Sequence, residues 1–240
     1  MTLGDDDIAI ELEVSDGAAA IGRVTATGAR AEHLAGKRVL VGPIDPCGEC
    51  DVCRRGGAAV CPRARTRSAP LAPPVIAAAH WAIALGEPDG VDATSAVVAG
   101  ELAIAYTLYA RTGVGPRDPV VVIGSSRIAR LVHRVLAAKG IDAVAIADES
   151  GIPTARARFS EQGIGGKPWR VLCADAVSLP LAASCCGPRS TLSVLAANDA
   201  PALPASLFAR EVLVISVAGA HPDLLVETAA LAMTASIDLS

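Results

Sequence analysis

Four cysteines, Cys47, Cys50, Cys53 and Cys61, stand in the run 46–62 with the spacing C-x2-C-x2-C-x7-C, and glycines fall at the turns between them. Zinc thiolate bonds of about 2.3 Å require four sulfurs to converge on one point, and the two-residue loops with Gly48, Gly56 and Gly57 permit that. All four coordination positions would be filled by protein. A catalytic zinc keeps one position for water or substrate, so this site is expected to be structural and to shape a loop. Two disulfides or a redox pair are the competing chemistries. An odd seven cysteines, no secretory leader and a chain too long for a small stapled fold argue against both.

The other reactive side chains are scattered. His33, His80, His133 and His221 have no paired ligand spacing, so ordinary surface or capping roles are expected. Cys173 lies in an apolar strand-like run and Cys185 and Cys186 are adjacent, a spacing that rarely closes a relaxed disulfide. All three are expected to be buried as small hydrophobes. Arg54, Arg55, Arg63, Arg65 and Arg67 crowd the cysteine lobe. They could dock an acidic partner or a CoA-like phosphate, although a solvated face is the simpler expectation.

Composition narrows the partners. The formal net charge is −4, the sequence pI is about 5.6, and there are two each of Trp, Tyr and Phe. Neither a basic field nor stacking platforms are available for nucleic acid. The chain is 52% hydrophobic, yet its apolar stretches are broken by charge, Gly or Pro before the ~20 residues that a membrane span needs. The acidic start Met1-Thr-Leu-Gly-Asp-Asp-Asp7 does not look like a signal or transit peptide, which makes a reducing cytoplasm the expected location.

These residues need elements to hold them. Ile8–Val14, Ile21–Thr25 and Lys37–Val41 are short β-type runs with Gly-rich turns, predicting a small β unit. The lobe follows, then the extended connector Ser68–Pro74, a possible returning strand within Val75–Leu85, and turn chemistry at Glu87-Pro-Asp-Gly90. Ala93–Thr112 reads as a helix stopped by Gly113. From Pro119 the pattern is β-α-β: Pro119–Ile123, a helix over Arg127–Lys139, then Ala143–Ala147 before Asp148. Further strands are predicted at Trp169–Cys173, Ser190–Leu195 and Glu211–Val217, and continuous apolar strands imply a parallel doubly wound sheet. Two domains are expected, 1–95 and 96–240.

Together these features resemble the zinc-containing medium-chain dehydrogenase/reductase family, the relatives of alcohol and sorbitol dehydrogenases. The resemblance rests on the cysteine lobe, on Gly22-Arg-Val-Thr-Ala-Thr-Gly28 and Gly36-Lys-Arg-Val-Leu-Val-Gly42-Pro43, on Gly113–Gly124, on Arg210–Gly219 and on the closing Ser236–Ser240. It implies a GroES-like β-rich domain with a structural zinc lobe, followed by a Rossmann-like nucleotide-binding domain, here shortened at its C-terminus. In this family nucleotide domains dimerise by extending the sheet. A homodimer, or a heteromer using the edge strand 211–217, is therefore implied, with the lobe as a second surface for a protein partner.

The chain departs from the family at its chemistry. The Gly-His-Glu run that supplies a catalytic zinc ligand becomes Gly17-Ala18-Ala19, and no cysteine precedes Cys47. Alanine cannot coordinate zinc. Near the third ligand position only Glu101 offers a carboxylate. The nucleotide fingerprint Gly-x-Gly-x-x-Gly becomes Gly124-Ser125-Ser126-Arg127-Ile128-Ala129, in which one glycine survives and Arg127 could meet a phosphate. Asp148 ends the next strand, where an acidic residue can bind the adenosine ribose and favour NAD over NADP. As a plainer alternative, Gly124 is a strand-end turn and Asp148 a helix cap.

A pseudoenzyme or accessory subunit with structural zinc is thus the expected function, with no assigned catalytic residue. The alternatives are a zinc-independent NAD(P)-dependent oxidoreductase acting on a small carbonyl or acyl-CoA-type substrate, polarised by Tyr106 or Ser126, and a nucleotide binder without turnover.

Overall fold

The computed structural model describes residues 2–15, 19–66, 74–85, 93–195, 202–221, 224–225 and 227–229. Gly17 and Ala18, Arg67, most of the connector 68–74, the turn at 87–90 and the closing run 236–240 lie outside the described residues. The chain divides into two compact units, one formed by 1–103 with 220–240 and the other by 104–219.

In the first unit β1 (Asp7–Ser15) and β2 (Ala20–Thr27) form an antiparallel pair that continues to β3 (Arg38–Val41). Ile8, Ile10, Ala20 and Val24 alternate inward with Val39 and Val41 to make a dry core. A small ladder of β4 (Ile44–Asp45) and β5 (Arg65–Thr66) pinches off the cysteine lobe, which holds the short helix α1 (Asp51–Arg54). The run 75–85 returns as two strands, β6 (Val75–Ala78) and β7 (Ile83–Ala84), on opposite edges of the order β6-β1-β2-β3-β7.

Helix α2 (Ala93–Thr112) is continuous, and the division between units falls within it at 103/104, a correction to the expected 95/96. The reason is tertiary. Thr228 Oγ1 lies 3.2 Å from Ala99 O, and a Cβ placed on Gly42 would touch Leu225 Cδ2 at 3.6 Å. Residues following Gly219, expected in the second domain, therefore belong with the first.

The second unit is the predicted α/β sheet. β8 (Val120–Ile123), α3 (Arg127–Ala138), β9 (Ala143–Ile146), α4 (Gly151–Glu161), β10 (Arg170–Cys173), α5 (Leu179–Cys185), β11 (Thr191–Leu195), α6 (Ala205–Ala209) and β12 (Leu213–Val217) follow in sequence. Every strand pair is parallel, in the order β12-β11-β10-β8-β9. β8 is buried along its length, as expected for a strand covered on both faces. α3 turns Leu131, Val132, Val135 and Leu136 inward at helical spacing. On the other side Phe159 meets Trp169 edge to face at 5.2 Å between ring centres, within a core that includes Leu179, Cys185 and Leu192. The chain leaves β8 toward β9 and crosses back through α4 to β10. The carboxyl ends of β8 and β10 thus form a topological switch point, where sheets of this type bind ligands.

Candidate metal centre and nucleotide loop

The lobe assembles its four thiols by local geometry. Cys50 is the N-cap of α1, with its Sγ accepting from the Cys53 amide at 3.5 Å, and the Cys47 amide donates to Cys61 Sγ at 3.5 Å. Gly56 turns the chain at φ +78°, and a Cβ on Gly57 would lie 2.8 Å from Val52 Cγ1 and 3.0 Å from Val52 O, so only glycine fits there. The sulfur separations are 4.0 Å for Cys47–Cys53, 3.8 Å for Cys50–Cys61 and 3.6 Å for Cys47–Cys61, and all four lie within 4.8 Å of one another. A zinc–sulfur bond of about 2.3 Å gives a tetrahedral edge of roughly 3.8 Å. The residues therefore fit a zinc ion. Trp81 Nε1 donates to Pro46 O at 2.8 Å, and His221 Nε2 lies 2.7 Å from Gly56 O, fastening both ends of the lobe.

Crowding four thiols splits their acidities. Desolvation raises Cys47, but amide hydrogen bonds from Glu49 and Cys50 and the neighbouring thiols bring it down to about 6. Desolvation and the surrounding sulfurs push Cys53 up to about 12. A central dication held by Cys47, Cys50, Cys53 and Cys61 would favour the thiolate form of all four.

Two of the arginines around the lobe are engaged in ion pairs. Arg63 pairs with Glu49 at 3.2 Å, and Arg65 bridges Asp7 at 2.7 Å and the buried Asp45 at 3.4 Å. Asp45 Oδ2 in turn accepts from the Ala78 amide at 2.9 Å, tying the lobe to the β6 edge. The hydrogen bond from Arg65 holds the Asp7 carboxyl below its ordinary value against desolvation. A depressed folded pKa means stability that is present above the usual aspartate range near 3.9 and is lost as pH falls through the folded value. We expect Arg65→Met to lower the urea midpoint at pH 7, with the gap to the wild type narrowing steadily below about pH 4. A gap independent of pH would contradict the bridge.

At the switch point, Gly124 adopts φ +118°, and Ser126 is the N-cap of α3, its Oγ accepting from the Ala129 amide at 3.2 Å. Ser125 and Arg127 are exposed, Ile128 is half-buried, and Arg130 Nη1 reaches back to Ser125 O at 3.2 Å. Asp148 follows β9 and accepts from the Ser150 hydroxyl and, at 2.9 Å, from the Ser150 amide, bonds that hold its carboxyl below the ordinary value. It closes a turn two residues ahead of Ser150, the N-cap of α4. Asp175, which no sequence expectation singled out, stands just beyond β10. Its Oδ1 accepts from the Ser178 amide at 2.9 Å, and its Oδ2 would be 2.3 Å from a Cβ at Gly124. A carboxylate thus lies against Gly124, the first glycine of the fingerprint, which makes the tight turn out of β8, while Ser126 stands at the second position, where a pyrophosphate approaches bare backbone. The loop thus departs from the dinucleotide fingerprint by a side chain at Ser126 and by a carboxylate beside its turn. The sequence carried a signal, an aspartate two residues past a buried strand with a serine three further on.

The remaining candidates do not converge. Glu101 is half-buried on the first-unit portion of α2. Tyr106 is 7% exposed, edge-on to Tyr109 at 5.6 Å, with Lys139 Nζ 4.9 Å from its ring centre. Lys139 ends α3 whereas Ser126 begins it, which puts about 20 Å of helix between those two hydroxyl-bearing neighbourhoods. Tyr106 and Ser126 therefore lie near opposite ends of α3.

Cys173, Cys185 and Cys186 are unpaired by disulfide and buried. Desolvation pushes them up to about 12, 11 and 12. All three are expected to resist a chromogenic disulfide reagent at pH 8 until the protein is unfolded, whereas rapid modification of any of them in the native protein would contradict this packing.

Residues 6–103 match the alcohol dehydrogenase GroES-like domain. A comparison with curated protein sequences finds no match. Among solved structures, the chain is similar to a short chain alcohol dehydrogenase from E. coli CFT073 complexed with NADH (TM-score 0.76, 16% identity, 100% of this chain and 83% of that one). It is also similar to an alcohol dehydrogenase from Thermus sp. ATN1 (0.75, 19%, 98% and 83%) and to galactitol-1-phosphate dehydrogenase from Escherichia coli (0.76, 14%, 100% and 85%). The fold is that of the zinc-binding dehydrogenases. The family match covers residues 6–103 of the 240, and the likeness to these structures is one of fold.

Proposed function

We propose that this protein is a non-catalytic member of the alcohol dehydrogenase-like, medium-chain dehydrogenase/reductase family, a pseudoenzyme or accessory subunit that keeps the structural zinc lobe and has given up zinc-dependent alcohol oxidation. One observation carries the reading: where the family places its Gly-His-Glu ligand run, this chain has Gly17-Ala18-Ala19. Ala19 is 2% exposed, a packed methyl group. Hydride removal from an alcohol needs a Lewis acid or a base at the hydroxyl, and Glu101 alone cannot hold a zinc.

We place its assembly surface at the β12 edge. Leu213 is 59% exposed and Phe208 on the adjoining α6 is 68% exposed, and a bare strand edge invites a second chain. The lobe, anchored at both ends, is a second surface for a protein partner. Among the described residues no helix is long and apolar enough to cross a membrane, and the free thiols suit a reducing cytoplasm.

The test combines metal analysis with turnover. One zinc per chain and no reduction of NAD or NADP by a panel of alcohols and polyols are expected. A second zinc per chain, or steady alcohol-dependent nucleotide reduction, would refute the reading.

A further inference from the structure

The nucleotide loop carries the inference furthest, because a carboxylate stands beside its turn. We infer that Asp175 is a built-in occupant of the phosphate cradle, and that its carboxylate is what excludes dinucleotides and other pyrophosphate-bearing ligands from the switch point. The inference rests on the non-catalytic reading above and deepens it.

Three observations place the carboxylate there. β8 and β10 run parallel in register, Ile123 opposite Cys173, and the Ala174 amide donates to Ile123 O at 3.1 Å, so the two strand ends leave the sheet together. The side chain of Asp175 is held by the Ser178 amide at 2.9 Å, and the Cys173 thiol donates to the Asp175 carbonyl at 3.0 Å, fixing both halves of the residue. The position so fixed leaves 2.3 Å between its Oδ2 and a Cβ at Gly124.

The physical consequence is twofold. A pyrophosphate approaches such a loop because bare glycine backbone and the free amides of a helix N-terminus face it. Here a carboxylate stands against Gly124 at the first turn of the loop, and its charge opposes a second anion at close range. Meanwhile Ser126 Oγ already accepts from the Ala129 amide, so one donor of the α3 terminus is spoken for. Asp175 thus supplies internally the negative charge that a nucleotide would bring. The loop is complete without a ligand.

The test separates space from charge. Wild type, Asp175→Asn and Asp175→Ala are titrated with NADH and with ADP, following nucleotide fluorescence or heat, after zinc content and melting temperature show that each protein is folded. Asp175→Asn keeps an oxygen for the Ser178 amide and removes the charge, and Asp175→Ala removes both. The wild type should show no saturation at about 1 mM nucleotide, and Asp175→Ala should bind at least about tenfold more tightly, with Asp175→Asn between them. A second readout needs no ligand. Gly124→Ala should lower the melting temperature of the wild type by at least about 3 °C more than it lowers that of Asp175→Ala, since the strain of a positive φ is common to both and only the carboxylate contact differs. Micromolar NADH binding by the wild type, equal affinities across the three proteins, or an additive Gly124/Asp175 cycle would each overturn the inference. The non-catalytic reading fails on a different result, alcohol-dependent turnover by the wild type.

Discussion

Replacing Cys50 with serine takes the zinc content from one per chain to near zero and unfolds the lobe between the β4–β5 ladder's two arms. The substitution is informative because Cys50 has two tasks, donating a sulfur to the cluster and capping α1 through the Cys53 amide. Serine is a good cap, so the helix start survives and the loss belongs to the metal. Structural zinc contributes roughly 10–16 kcal/mol of apparent binding energy in isolated zinc-finger peptides, far more than a seventeen-residue lobe without a core can supply by packing. Limited proteolysis should then cut the lobe near Arg54 and Arg55, which are exposed, and the same cuts should appear when the wild type is stripped with a strong chelator. Full zinc occupancy in the serine variant, or resistance of the metal-free lobe to protease, would remove the cluster from its structural role.

Phe159→Ala should be the most damaging single change in the second unit. Phe159 is 1% exposed on α4 and stacks edge to face on Trp169 at an interplanar angle of 82°. Truncating a buried phenylalanine costs about 3–5 kcal/mol, against a total stability of about 5–15 kcal/mol for a typical domain. The unit's melting temperature should fall by roughly 6–20 °C, with a red shift of Trp169 emission as its ring loses an apolar neighbour. If the melt resolves two transitions, only the one reported by Trp169 should move. A drop of less than about 3 °C would mean that this aromatic pair is not part of the core.

The lobe was legible in the sequence because its determinants are local. Four cysteines and three glycines within one short run specify a geometry with no help from elsewhere. The strands of the α/β unit were legible for a related reason: Val120–Ile123 and Val171–Cys173 are apolar without alternation, which only a doubly covered sheet requires. α4 was missed, because Gly151 and Pro153 sit in its first turn, where they are tolerated but look like breakers. The domain boundary was misplaced for want of long-range information. Nothing near Ala99 announces Thr228, and nothing near Gly56 announces His221, which lies 165 positions away. At the candidate site, Asp175 went unnoticed because a motif records the backbone it expects and not the side chain that stands beyond a neighbouring strand.

The first unit is interrupted in sequence, since 104–219 is inserted between its two parts. During synthesis the β strands and the cysteine lobe therefore leave the ribosome long before His221, Leu225 and Thr228 exist to close onto them. At about 5–20 residues per second, the 104–219 insertion alone imposes a delay of several seconds to tens of seconds. For that interval the surfaces around Gly42 and Ala99 stand uncovered, and the lobe lacks the contact of His221 with Gly56. Early metal capture would guard the nascent lobe, which makes the order of events in the cell as important to this protein's yield as its final stability: zinc first, the inserted sheet second, closure of the split unit last.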